Sequence, residues 1–122
     1  MSNLNWFDNG KTENRPILIL TTLPANADDL WLQMVLTEHL AGCITKLPGA
    51  VSTYLWKGKI VTDNESVYLI KSSTDKLQEL TSTIIKNHPY EIPEIAVFEM
   101  AGVNEPYWHW LNESLTVHGN SE

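Results

Sequence analysis

Cysteine and arginine are nearly missing from this chain. The one cysteine, Cys43, has no partner for an internal disulfide, which fits a reducing compartment. The one arginine, Arg15, precedes the first apolar run. The loop after that run therefore lacks the guanidinium that an acylphosphatase-type site on a small α+β fold would want there. Basic residues number 8 against 15 acids, for a net charge of −7, so the clustered Lys and Arg that grip nucleic acid or an anionic membrane are not available. No apolar run approaches a membrane span, and Met1 to Arg15 lacks the apolar centre of a signal peptide. We therefore expect a cytoplasmic protein whose partners are neither nucleic acid nor membrane. G-x-G-x-x-G, Walker and G-x-S-x-G motifs are missing too, so nothing marks the chain as an enzyme.

What is present reads as one globular domain of 122 residues, 43% hydrophobic. Residues 1–15 are polar without periodicity and read as a flexible tail, with Trp6-Phe7 as its one anchor. Residues 16–116 form the domain, and 117–122 a loose C-terminal tail. Ile17 to Leu20, ending in Thr21-Thr22, suits a strand buried on both faces. Asn26 is placed to cap a helix with Asp28 and Asp29 in its first turn, and Leu30, Trp31, Met34, Val35 and Ala41 give an apolar stripe ending at Gly42. Ile44 to Lys71 reads as one long hairpin, bent at Pro48-Gly49 and turned at Lys57-Gly58. It is longer than a small sheet needs, and its projecting edges invite a partner, so an oligomer is expected.

Ser73 or Thr74 starts a second helix with Leu77, Leu80, Ile84 and Ile85 facing inward. Ile95 to Met100 is a fourth strand, and Asn104-Glu105-Pro106 opens a short terminal helix carrying Tyr107, Trp108, Trp110 and Leu111. Strand-helix-strand-strand-helix-strand is the βαββαβ order of an α+β, ferredoxin-like sandwich. Two helices should cover one sheet face and leave the other for the terminal helix or neighbouring subunits.

The chemistry gathers in the connector His88-Pro89-Tyr90-Glu91-Ile92-Pro93-Glu94, where two prolines fix the backbone and push His88 and Ile92 toward extended geometry. Two prolines can simply end a helix and begin a strand, but rigid connectors on packed scaffolds also carry function. Among four histidines none forms a close pair; His88 is the best-placed metal ligand, made stronger if symmetry-related copies converge. His39 and Cys43 are interrupted by Gly42, and Cys43 reads as a small buried hydrophobe. His109 and His118 read as solvent-facing or disordered, and Glu91 with Glu94 as a solvated pair rather than a catalytic one. Along the hairpin, Tyr54, Trp56, Lys59, Glu65 and Lys71 read either as interface anchors or as the lining of a ligand cleft.

From Leu40-Ala41-Gly42-Cys43 through Pro48-Gly49-Ala50, Ser52, Tyr54, Trp56, Gly58, Lys59, Glu65 and Lys71, the chain resembles the CutA family of divalent-cation tolerance proteins. His88-Pro89-Tyr90-Glu91, Pro93-Glu94-Ile95, Tyr107 and Trp110-Leu111 complete the likeness, which covers about residues 17–115. The resemblance implies a non-enzymatic, PII-like homotrimer of ferredoxin-like subunits with a role in tolerance of divalent cations, copper above all. It implies copper ligation from the positions of Thr21, Asn87 and His88, of which only His88 is a ligating type here. The same architecture also implies an alternative, a signalling or structural trimer. Its clefts between subunits, lined by Tyr54, Trp56, Lys71, Tyr90 and Glu91, would take a small anionic ligand.

Overall fold

Strand β1 (Pro16–Pro24) is the interior strand that the Ile17–Leu20 run calls for, paired antiparallel on one side with β3 (Lys59–Ser73) and on the other with β4 (Ile95–Glu99). The computed structural model describes residues 13–117; Trp6, Phe7 and His118 lie outside the described residues. β2 (Cys43–Trp56) pairs with β3 to complete an antiparallel sheet of order β2-β3-β1-β4. Asn14 and Arg15 are bonded into this frame. Asn14 accepts from Asp75 N at 3.0 Å, and Arg15 forks onto Glu99 at 2.8 and 3.0 Å.

One face is the core. Ile17, Ile19, Leu23, Tyr68 and Ile70 pack there against Leu32 and Val35 of α1 (Trp31–Thr37) and Leu80 and Ile84 of α2 (Leu77–Asn87). α1 is shorter than the apolar stripe suggested, and Asn26 lies in the turn before it rather than at its cap. Asp28 Oδ1 accepts from Leu30 N at 3.0 Å, and His39 at φ 61° ends the helix. That rotation leaves Leu30 and Met34 exposed and brings Leu32 in. A 3₁₀ turn (Thr74–Lys76) precedes α2, neither Ser73 nor Thr74 caps it through a side chain, and Ile85 faces solvent. α3 (Glu105–Ser114), with Pro106 in its first turn, closes on the α1–β2 corner, where Leu111 and Ser114 lie against Gly42.

The other face carries Leu18, Leu20, Val67 and Leu69 by strand alternation and pairing, with Leu47 and Phe98 each about half exposed. Beyond the sheet the hairpin continues as a two-stranded ribbon. Its turn, Lys57-Gly58, has positive φ at both residues, as a type I′ turn demands. No helix among the described residues is long and apolar enough to cross a membrane.

Candidate functional site: a cleft over Glu65

The bend at Pro48-Gly49 decides which side chains meet. Leu47 pairs with Val67, but Ala50 pairs with Glu65, so β2 spends two residues where β3 spends one. Gly49, at φ 84°, permits that conformation. Because side chains alternate along a strand, the extra residue flips the parity of β2. Ser52, Tyr54 and Trp56 therefore stand on the same face as Glu65; without the bulge they would point the other way.

The connector arrives from α2 at the same place. His88 takes the extended geometry its proline imposes (φ −74°, ψ 136°) while its N–H still closes the last turn of α2 on Ile84 O. The residue is only 9% exposed and both ring nitrogens are engaged. Nε2–H donates to Thr22 O at 2.8 Å, and Nδ1 accepts from Tyr90 N at 3.1 Å. That pattern defines the neutral tautomer, and burial accordingly lowers the His88 pKa from 6.5, against smaller opposing effects of the Thr22 carbonyl and the Glu65 charge. The ring also lies against Tyr90, centroids 5.1 Å apart.

Tyr90, thus positioned, donates its hydroxyl to Glu65 Oε2 at 2.6 Å. Ser52 Oγ donates to Oε1 at 2.6 Å, and Thr22 Oγ1 to Oε2 at 3.3 Å. Glu65 is 5% exposed and ringed by hydroxyls. Burial, then the bond to Glu65, pushes the Tyr90 pKa well up, so the phenol stays a donor. Tyr54 donates to Asp63 Oδ2 at 2.5 Å, which raises its pKa as well. Above Glu65 opens a cleft of about 310 Å³, walled by Tyr54, Trp56 and Tyr90 and rimmed by Glu91, Ile92 and Glu94.

Of the residues expected at a ligand site, Tyr54, Trp56, Tyr90 and Glu91 therefore converge. Within the single chain Lys71 lies apart from them. It lies six residues from Glu65 on β3, roughly 20 Å away, and its ammonium donates to Thr45 Oγ1 at 2.6 Å beside Cys43 Sγ at 3.9 Å. Thr22, Ser52 and Glu94, which periodicity alone did not single out for the cleft, line it.

His88 does not fit a metal in this arrangement. Its one lone pair, on Nδ1, already faces the Tyr90 N–H, so a cation would have to break the connector to reach it. Nor do its companions help: Thr21 is fully buried, Asn87 donates to Thr83 O at 2.9 Å, and neither is a good copper ligand. Among the described residues no three His, Cys, Asp or Glu side chains gather as a metal cage.

The profile of the CutA1 divalent ion tolerance protein family matches residues 17–114. A divalent-cation tolerance protein CutA of Yersinia pestis (strain Pestoides F) is 42% identical over 109 residues, covering 88% of this chain and 91% of its own. The crystal structure of CutA from Xylella fastidiosa superposes with a TM-score of 0.78 at 33% identity, covering 84% of this chain and 99% of that one. A PII-like protein CutA from Nostoc sp. PCC 7120, in its apo form, superposes with a TM-score of 0.75 at 27% identity, covering 82% and 97%. With the fold, the bulged hairpin and the family match in agreement, this chain belongs to the CutA1 divalent ion tolerance protein family.

Proposed function

We propose that the protein serves divalent-cation tolerance as a non-catalytic, cytoplasmic homotrimer that responds to a ligand bound in the cleft over Glu65. One observation carries this reading: the family's connector is used here to build a cleft, with His88 holding Tyr90 onto Glu65 rather than offering a nitrogen to a cation. Response to copper or another divalent cation is then indirect, through the state of the assembly, and His88 is a positioning residue. PII-like describes the Nostoc relative, and a ligand-responsive assembly is the reading proposed for this chain.

Support for assembly comes from the ribbon. Val51, Leu55 and Ile60 are 62%, 68% and 71% exposed, and Leu55 pairs directly with Ile60, so a row of apolar side chains lines its outer face. A two-stranded ribbon in water is marginal without cover. A second copy, presenting its own uncovered sheet face, would supply that cover. Sedimentation velocity on the purified chain tests the assembly: a species three times the 13.8 kDa chain mass is expected at micromolar concentration, and a monomer would refute the reading.

A further inference from the structure

We infer that the cleft over Glu65 selects a small organic cation, a ligand with an ammonium or guanidinium head, and not an anion. This rests on reading the cleft as the ligand site. The central observation is a buried carboxylate with no counter-ion among the described residues. Glu65 is 5% exposed and, among the described residues, the hydroxyls of Thr22, Ser52 and Tyr90 donate to it and no basic side chain lines the cleft. Buried charges are ordinarily paired, because hydroxyl dipoles offset only part of the lost hydration. A carboxylate offers about four acceptor positions. Among the described residues three are taken, two on Oε2 and one, from Ser52, on Oε1, where a further donor would be accepted.

The surroundings favour the same sign of charge. Tyr54, Trp56 and Tyr90 line the cleft, aromatic rings attract cations, and the exposed Glu91 and Glu94 line it too. Trp56 already has the Lys57 ammonium 5.8 Å from its ring centre, at the hairpin turn. A hard divalent ion wants several charged or carbonyl oxygens at close range, whereas one available carboxylate oxygen with aromatic walls suits an alkylammonium or guanidinium. The volume of about 310 Å³ admits a compact molecule.

The test is NMR titration of the ¹⁵N-labelled full chain with 1,4-diaminobutane, and separately with citrate. Saturable shifts at the Trp56 indole and at the Tyr90 and Glu65 amides are expected with the diamine and not with citrate. Glu65→Gln should weaken the diamine by at least about tenfold, the value of one hydrogen bond to a charged group. If that variant fails to fold, the rim variant Glu91→Gln/Glu94→Gln serves, with weakening of about two- to fivefold, and added salt should weaken binding to the wild type. Citrate shifting those residues instead would overturn the cation inference and leave the cleft standing as the ligand site. Neither probe shifting them, or diamine shifts confined to other acids, would overturn the inference and the ligand reading together.

Discussion

Replacing Tyr90 with Phe removes one hydroxyl and keeps the ring that lies against His88. In the native protein that hydroxyl donates to Glu65 at 2.6 Å, and Glu65 is 5% exposed. A hydrogen bond to an ionised group contributes about 1.5–3 kcal/mol net, and because Tyr90 is only part-buried we expect a loss of about 2 kcal/mol. For a domain of about 100 residues each kcal/mol moves Tm by about 4–8 °C, so the variant should melt about 8–16 °C lower. Urea unfolding at one fixed protein concentration is the assay, since assembly makes stability concentration-dependent. Glu65→Gln supplies the second arm: against a neutral amide the same Tyr90→Phe change should cost about 1 kcal/mol. A Tyr90→Phe protein within about 0.5 kcal/mol of wild type, or one that loses the same amount in both backgrounds, would refute the bond from Tyr90 to the buried Glu65 carboxyl at the root of the cleft.

Because burial depresses the His88 pKa below 6.5, the unfolded chain takes up a proton that the folded chain resists. Stability should be full above about pH 6.5 and fall as the pH drops through the lower folded value. Tm measured against pH should show that acid limb, reduced in His88→Gln; a rise on acidification would contradict it. Gly42→Ala would put a Cβ 2.5 Å from both Leu111 Cδ1 and Ser114 Oγ, so displacement of α3 should cost about 1–3 kcal/mol in urea. An unchanged midpoint would mean that α3 does not close on this corner. If the Trp56 ring is an interface anchor as well as a cleft wall, Trp56→Ala should weaken assembly by about 2 kcal/mol or more. Sedimentation across a dilution series reads that, and an undisturbed oligomer would show that the ring anchors nothing.

The frame of the fold was legible because its signals are local and periodic. Ile17–Leu20, the hairpin around Lys57-Gly58, and Leu80 with Ile84 in α2 each stand in the structure as alternation or helical spacing predicts. α1 departs from its apolar stripe at both ends, since an Asx turn at Asp28 and the left-handed His39 leave no strong mark in sequence. The site was half legible. Pro48-Gly49 reads as a bulge, and counting parity across it would have placed Ser52 beside Glu65. An acid within a run of strand formers, as at Glu65, was the other usable signal. The state of His88 was not readable, because its partner Thr22 lies 66 residues away and the bond needs the folded sheet. A likeness to a metal-tolerance family says nothing of its nitrogens' partners, and the geometry shows both engaged.

The most direct measurement is ¹⁵N NMR of the His88 ring at neutral pH, before and after one equivalent of zinc. A neutral Nε2–H ring whose nitrogen shifts stay put on metal addition is the expected result, with Nε2–H bonded to Thr22 O and Nδ1 to Tyr90 N–H. A metal-bound shift at Nδ1 would contradict it. The connector would then be a metal site, and the cleft over Glu65 would lose the strut on which its function depends.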